Sequence, residues 1–146
     1  MRKSKRMEPV LRIAESREDQ AAHAFAESRR QLGEHERQLV QLQGYRREYQ
    51  MQIDNQAAAG ITASRLVDTH RFLAQLDKAI TQQQMVVEQA TRLCNQKRQH
   101  WLMSRQKSQS LEKAKTRFET LERQHEDRRE QKVLDELAQR RRTQDE

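Results

Sequence analysis

Leu66, Leu73, Ile80, Val87, Cys94 and Trp101 stand seven residues apart without a break, and that spacing keeps one stripe of a helix turned toward a partner helix. This run decides a question that composition leaves open. Leu, Ile, Val and Phe make up only 26 of the 146 residues, under the roughly 20% at which a chain starts to look disordered. The net charge of +7 is spread along the chain with both signs interleaved, whereas charge-driven disorder needs a large unbalanced charge. Apolar residues are therefore too few for a globular core and sufficient for a helical seam.

The first half carries the same signal. Leu11, Phe25, Leu32, Leu39 and Ile53 share one heptad position, and Ala14, Ala21, Leu42 and Tyr49 share the position three residues later. Glu18 and Arg46 interrupt the first row, Ser28 and His35 the second, which predicts a seam less stable than a leucine-rich zipper. Between the halves lies "AAAGITAS" at residues 57–64. Gly60 is suited to the left-handed conformation that ends a helix, and Thr62 or Ser64 to capping the next one.

These signals predict an all-α chain, a long antiparallel two-helix coiled-coil hairpin with an overhanging C-terminal helix. Residues 1–146 form a single coiled-coil domain in this reading, with helix one over about residues 8–56, a turn at 57–61 and helix two over about 62–142. Pro9 fits the first turn of helix one, where its missing N–H costs nothing. At 1.5 Å per residue the arms run to about 73 and 120 Å. If paired residue numbers add to about 118, Pro9 lies beside about residue 109 and about 35 residues of helix two overhang.

Apolar residues persist outside the seam. On the overhang, Leu111, Ala114, Phe118 and Leu121 keep a 3,4,3 spacing that reads as a slipped register, and Val133, Leu134, Leu137 and Ala138 make a short stripe further on. Either this tail frays in the free monomer or another protein covers it. One flank of the hairpin carries Gln38 and Tyr45 on helix one and Phe72, Ala79, Val86 and Leu93 on helix two, where soluble coiled coils usually place Glu or Lys. The expected register sets Tyr45 beside Phe72, with Leu42 and Leu76 beneath. Tyr45, Tyr49, Phe72 and Leu76 then form either a protein-contact patch or a thickened core.

Residues 89–117 hold eight Lys or Arg against Glu112 alone, and the first six residues add four more basic groups. Like charges brought together at the open end predict a frayed N-terminus unless an acidic partner neutralises it. The basic stretch could bind nucleic acid, with Trp101 as its stacking platform, or be a solvated face. His23, His35, His70, His100 and His125 never stand at metal-binding i,i+4 spacing, and there is no glycine-rich phosphate loop. No catalytic residue, metal ligand or cofactor site is assigned, and the chain is not expected to be an enzyme. The basic opening lacks the apolar core of a signal peptide and no run approaches about 20 apolar residues. A lone cysteine, Cys94, suits a reducing compartment, so a soluble, cytoplasmic protein is expected.

The stretches "YRREYQMQIDNQAAAGITASRLVDTHRFLAQLDKAI" and "RREQKVLDELAQRR" resemble the FliJ family of flagellar type III export proteins, and the likeness extends over about residues 8–138. The resemblance implies a coiled-coil stalk, similar in shape to the central gamma subunit of rotary ATPases, that couples energy to protein transport in flagellum biogenesis and hence motility. Implied partners are the flagellar export ATPase hexamer, the membrane-embedded export-gate protein and the export chaperones, with no nucleic acid. Membrane association comes only through partners, placing the protein peripherally at the inner face of the cell membrane. Gate binding would fall on Gln38, Leu42, Tyr45, Tyr49, Phe72, Leu76 and Ala79. The tail would engage the ATPase through Phe118, Leu121, Leu134 and Leu137.

Overall fold

The computed structural model describes residues 2–145. Two helices account for nearly all of them, α1 at Lys3–Ala59 and α2 at Ala63–Asp145, with no strand among the described residues. The chain is all-α, as its heptad spacing requires. Gly60 has φ 95°, a conformation in which a side chain on Cα is strained, and its N–H donates to the Ala57 carbonyl at 3.3 Å. Of the two candidate caps it is Thr62 that acts, its hydroxyl accepting the Arg65 N–H at 3.3 Å.

The helices contribute to two compact units. One runs from Ala21 to Trp101 and contains the turn. Within it the helices pair antiparallel: Tyr49 meets Phe72, Arg46 meets Asp77, and Gln83 donates to the His35 carbonyl at 2.9 Å. Its buried residues include Ala21, Ile53, Leu73, Ile80 and Cys94, all from the heptad rows, and no large side chain is completely enclosed among the described residues. Near its far end Phe25 stacks on Trp101 with ring centres 5.6 Å apart.

The other unit comprises the chain up to Gln20 and from Leu102 onward. Here Glu18 accepts a hydrogen bond from the Ser108 hydroxyl at 2.5 Å, Lys115 lies 3.8 Å from Glu8, and Ser4 reaches Glu122. Partners of Ser4 and Glu18 thus sit about two helical turns further along α2 than the expected register placed them. The row of sevens does not slip at Leu111. It continues as Ser108, Lys115 and Glu122, each at least half-buried, while Leu111 and Phe118 hold the companion row. Within this unit the row is occupied by polar residues.

That register corrects three expectations. α1 begins at Lys3, so Pro9 lies inside the helix and not in its first turn, leaving the Lys5 carbonyl without its usual donor. The basic opening is helical and packed on α2: Ser4 is only 7% exposed and donates to Glu122, Arg2 pairs with Glu126, and Lys3 lies 5.5 Å from the centre of the Phe118 ring. The repulsion expected from residues 89–117 is reduced because Arg2 and Lys3 meet Glu126 and Phe118, beyond that stretch. Finally, Phe118 and Glu122 are covered, so uninterrupted exposure starts only at Arg123 and extends through Asp145. The uncovered tail is shorter than the expected length of about 35 residues.

No helix among the described residues is long and apolar enough to cross a membrane.

Candidate docking surface

The α1 segment before the turn carries Tyr45 and Tyr49, and the α2 segment after it carries Phe72. Tyr49 belongs to the seam and Phe72 to the flank, and the antiparallel pairing brings their rings together edge to face, 4.6 Å between centres at 65°. Tyr45, one turn earlier on α1, is 51% exposed and its hydroxyl accepts a hydrogen bond from the Gln41 amide at 2.8 Å. Phe72 remains 44% exposed. Tyr45, Glu48, Tyr49, Gln52, Phe72 and Leu76 line one shallow groove.

Four of the seven residues singled out for this surface therefore share the groove. Leu42 and Ala79 are half-buried beside it in sequence, and Gln38 accepts a hydrogen bond from Gln83 at 3.3 Å. The ring facing Phe72 is that of Tyr49 and not Tyr45, because pairing near the turn runs about one turn later than expected. Glu48 and Gln52 escaped the sequence reading. Gln52 stands seven after Tyr45 on the same flank row, so its place could have been read; Glu48 lies outside that row and only the coordinates reveal it. Next in sequence to Tyr45 and Leu76, Arg46 donates to Asp77 at 2.5 Å, which raises the guanidinium above its ordinary pKa.

The tail residues part company. Phe118 is half-buried under α1, whereas Leu121, Leu134 and Leu137 are 54%, 61% and 53% exposed. In the basic stretch, Trp101 already stacks on Phe25, which leaves one face fewer for a nucleobase, and Lys115 is engaged by Glu8 and Glu119. No group of His, Cys, Asp or Glu among the described residues could hold a metal ion. His35 sits in the seam with its Nδ1 buried and unpaired, and Cys94 is a buried free thiol.

Compared with known proteins, the chain matches the flagellar FliJ protein family over residues 3–145. It is 33% identical over 128 residues to the flagellar FliJ protein of Escherichia coli (strain K12), a match covering 88% of this chain and 87% of that relative. To the flagellar FliJ protein of Salmonella typhi it is 30% identical over 134 residues, covering 92% and 91% respectively. No solved structure matches the chain.

Proposed function

The chain belongs to the flagellar FliJ protein family and is a flagellar export component; from that premise we propose that it is a non-enzymatic adaptor with two docking regions. The groove of Tyr45, Tyr49, Phe72 and Leu76 binds the membrane export-gate protein. The exposed tail, with Leu121, Leu134 and Leu137, engages the export ATPase hexamer, and export chaperones are handled on the same coiled coil. The protein then reaches the membrane only through its partners, at the inner face. Phe118 drops out of the ATPase-facing set, since α1 already covers it.

The observation that carries this reading is the half-exposed state of Tyr45 and Phe72 beside the Tyr49 ring. Two aromatic faces left open to water at the rim of a groove are the kind of anchor that dominates protein interfaces. Purified Tyr45→Ala/Phe72→Ala chain, assayed for binding to the gate protein and for rescue of motility in a strain lacking the wild-type protein, tests it. Loss of both with helicity retained is expected. Wild-type gate binding by the double variant would refute the assignment.

A further inference from the structure

In the unit built from the chain up to Gln20 and from Leu102 onward, charge is sorted by flank. Lys3, Arg6, Val10, Ile13 and Arg17 recur at alternating steps of three and four along α1, and Met103, Lys107, Ser110, Ala114 and Arg117 do so along α2, so each set occupies one helix face. The Lys3 ammonium over the Phe118 ring brings the two stripes to the same flank of the pair. Neither stripe contains an acid. Glu18 and Glu122 lie in the seam, where Ser108 and Ser4 donate to them. The other flank is the acidic one: there Glu8 and Glu119 both reach Lys115 and Arg2 meets Glu126. Glu15, Asp19 and Glu112 continue it at helical spacing, and Lys5 and Arg12 stand within one turn of Glu8.

On the basic flank Arg6, Arg17, Lys107 and Arg117 are exposed and none forms an ion pair with another described residue. Among them Val10, Ile13 and Met103 are 50%, 56% and 70% exposed. That mixture selects the partner. Nucleic acid would satisfy the cations but set these apolar side chains against phosphate, and the flank has no exposed aromatic ring on which a base could stack. A partner helix would bury a continuous apolar stripe, whereas Val10 and Ile13 are bracketed by Arg6 and Arg17. Short apolar groups ringed by long cations match a lipid headgroup layer, in which Lys and Arg stay with the phosphates while apolar side chains reach the acyl boundary. We infer that this flank rests on the anionic surface of a lipid bilayer. So small a set of cations and apolar groups adheres weakly at physiological salt, so recruitment still comes from the partners proposed above. The lipid contact then decides which flank of the chain faces the bilayer; the adhesion itself needs neither partner.

Cosedimentation of the full chain with phosphatidylcholine vesicles carrying about 40% phosphatidylglycerol, at about 50 and 300 mM salt, tests this. Binding at low salt that is lost at high salt and absent from pure phosphatidylcholine is expected. Arg6→Glu/Arg17→Glu should lower the partition coefficient at least about tenfold, whereas Lys5→Glu/Arg12→Glu, the same change in net charge on the acidic flank, should lower it less than about threefold. Val10→Ser/Ile13→Ser should weaken vesicle binding several-fold and leave binding to a short RNA duplex, used as a soluble polyanion, unchanged. All six side chains are exposed, so helicity should be retained. Tyr45→Ala/Phe72→Ala should bind vesicles as the wild type does, which separates this surface from the gate groove. No vesicle binding at low salt, equal losses from the two charge reversals, or vesicle binding indifferent to the Val10 and Ile13 changes would overturn the inference.

Discussion

Phe72→Ala separates a docking residue from a core residue by the size of its effect. Burying a phenylalanine completely contributes about 1.5–3 kcal/mol, and Phe72 keeps 44% of its surface in water, so roughly half of that is at stake. The edge-to-face pair with Tyr49 adds about 0.5–1.5 kcal/mol. Truncation should therefore cost about 2 kcal/mol, and Tyr45→Ala, which has no ring partner among the aromatic contacts of the described residues and is 51% exposed, under about 1 kcal/mol. Ile80 is 9% exposed, and Ile80→Ala should cost about 3–4 kcal/mol because a cavity adds to the lost transfer energy. Chemical denaturation followed by circular dichroism at 222 nm reads all three. The reasoning fails if Phe72→Ala destabilises as much as Ile80→Ala, for the ring would then be core and its loss would abolish binding merely by unfolding the segment.

Three further outcomes follow from the geometry. The Glu122 carboxyl is held below its ordinary pKa, chiefly by the Ser4 hydroxyl and, in addition, by the Ser4 N–H and Arg2, against the opposing effect of desolvation. A carboxylate with a depressed folded pKa stabilises above its unfolded value and loses that contribution as pH falls through the folded one, so acidification below about pH 4.5 should release residues 3–8 from α2; unchanged Ser4 amide shifts between pH 6 and 3 would contradict this. Gly60→Ala should cost about 1–2 kcal/mol, entirely from backbone strain, because an added Cβ at Gly60 would meet nothing within 4 Å; a neutral melting temperature would show that the turn rearranges freely. Truncation after Gln124 removes a segment that is exposed through Asp145, together with the exposed Arg2–Glu126 ion pair, and should largely preserve thermal stability while weakening ATPase engagement, whereas undiminished ATPase binding would exclude the tail as the contact.

Legibility in the sequence follows what periodicity can count. Leu11, Ala14, Ala21, Ile53, Leu73, Ile80 and Cys94 were placed on the seam by spacing alone and all are buried. Gly60 announced the turn because few residues besides glycine adopt its backbone conformation at low cost. The seam's polar members did not announce themselves: Ser4, Thr69 and Ser108 are buried and Lys115 and Glu122 half-buried, yet a search for apolar spacing reads each of them as an interruption or an end. For the same reason the tail's register break was expected near Leu111, where apolar residues begin to stray, and occurs instead past Glu122, where the covering helix gives out. The groove was legible as a flank of aromatics, but which tyrosine meets Phe72 depends on register, and a heptad pattern is satisfied equally well at every shift of seven.

What fixes the register is the polar pairs that made the seam look flawed. A hydrogen bond between half-buried groups contributes little net stability, while leaving one of those groups unpaired costs about 1–3 kcal/mol, more for a charge. Sliding α2 by one heptad would take Glu122 away from Ser4 in either direction; one slide sets Glu18 against the Trp101 indole, and the other gives Glu18 Lys115 as a partner but leaves Ser4 beside Arg129. Apolar rows tolerate such a slide; Glu18–Ser108 and Ser4–Glu122 do not. A polar residue at a seam position is known to trade stability for a single register in coiled coils, and here it has a further consequence. By locking Ser4 to Glu122, the pairs determine that cover ends just before Arg123, and so determine which leucines of the tail are left for another helix to bury.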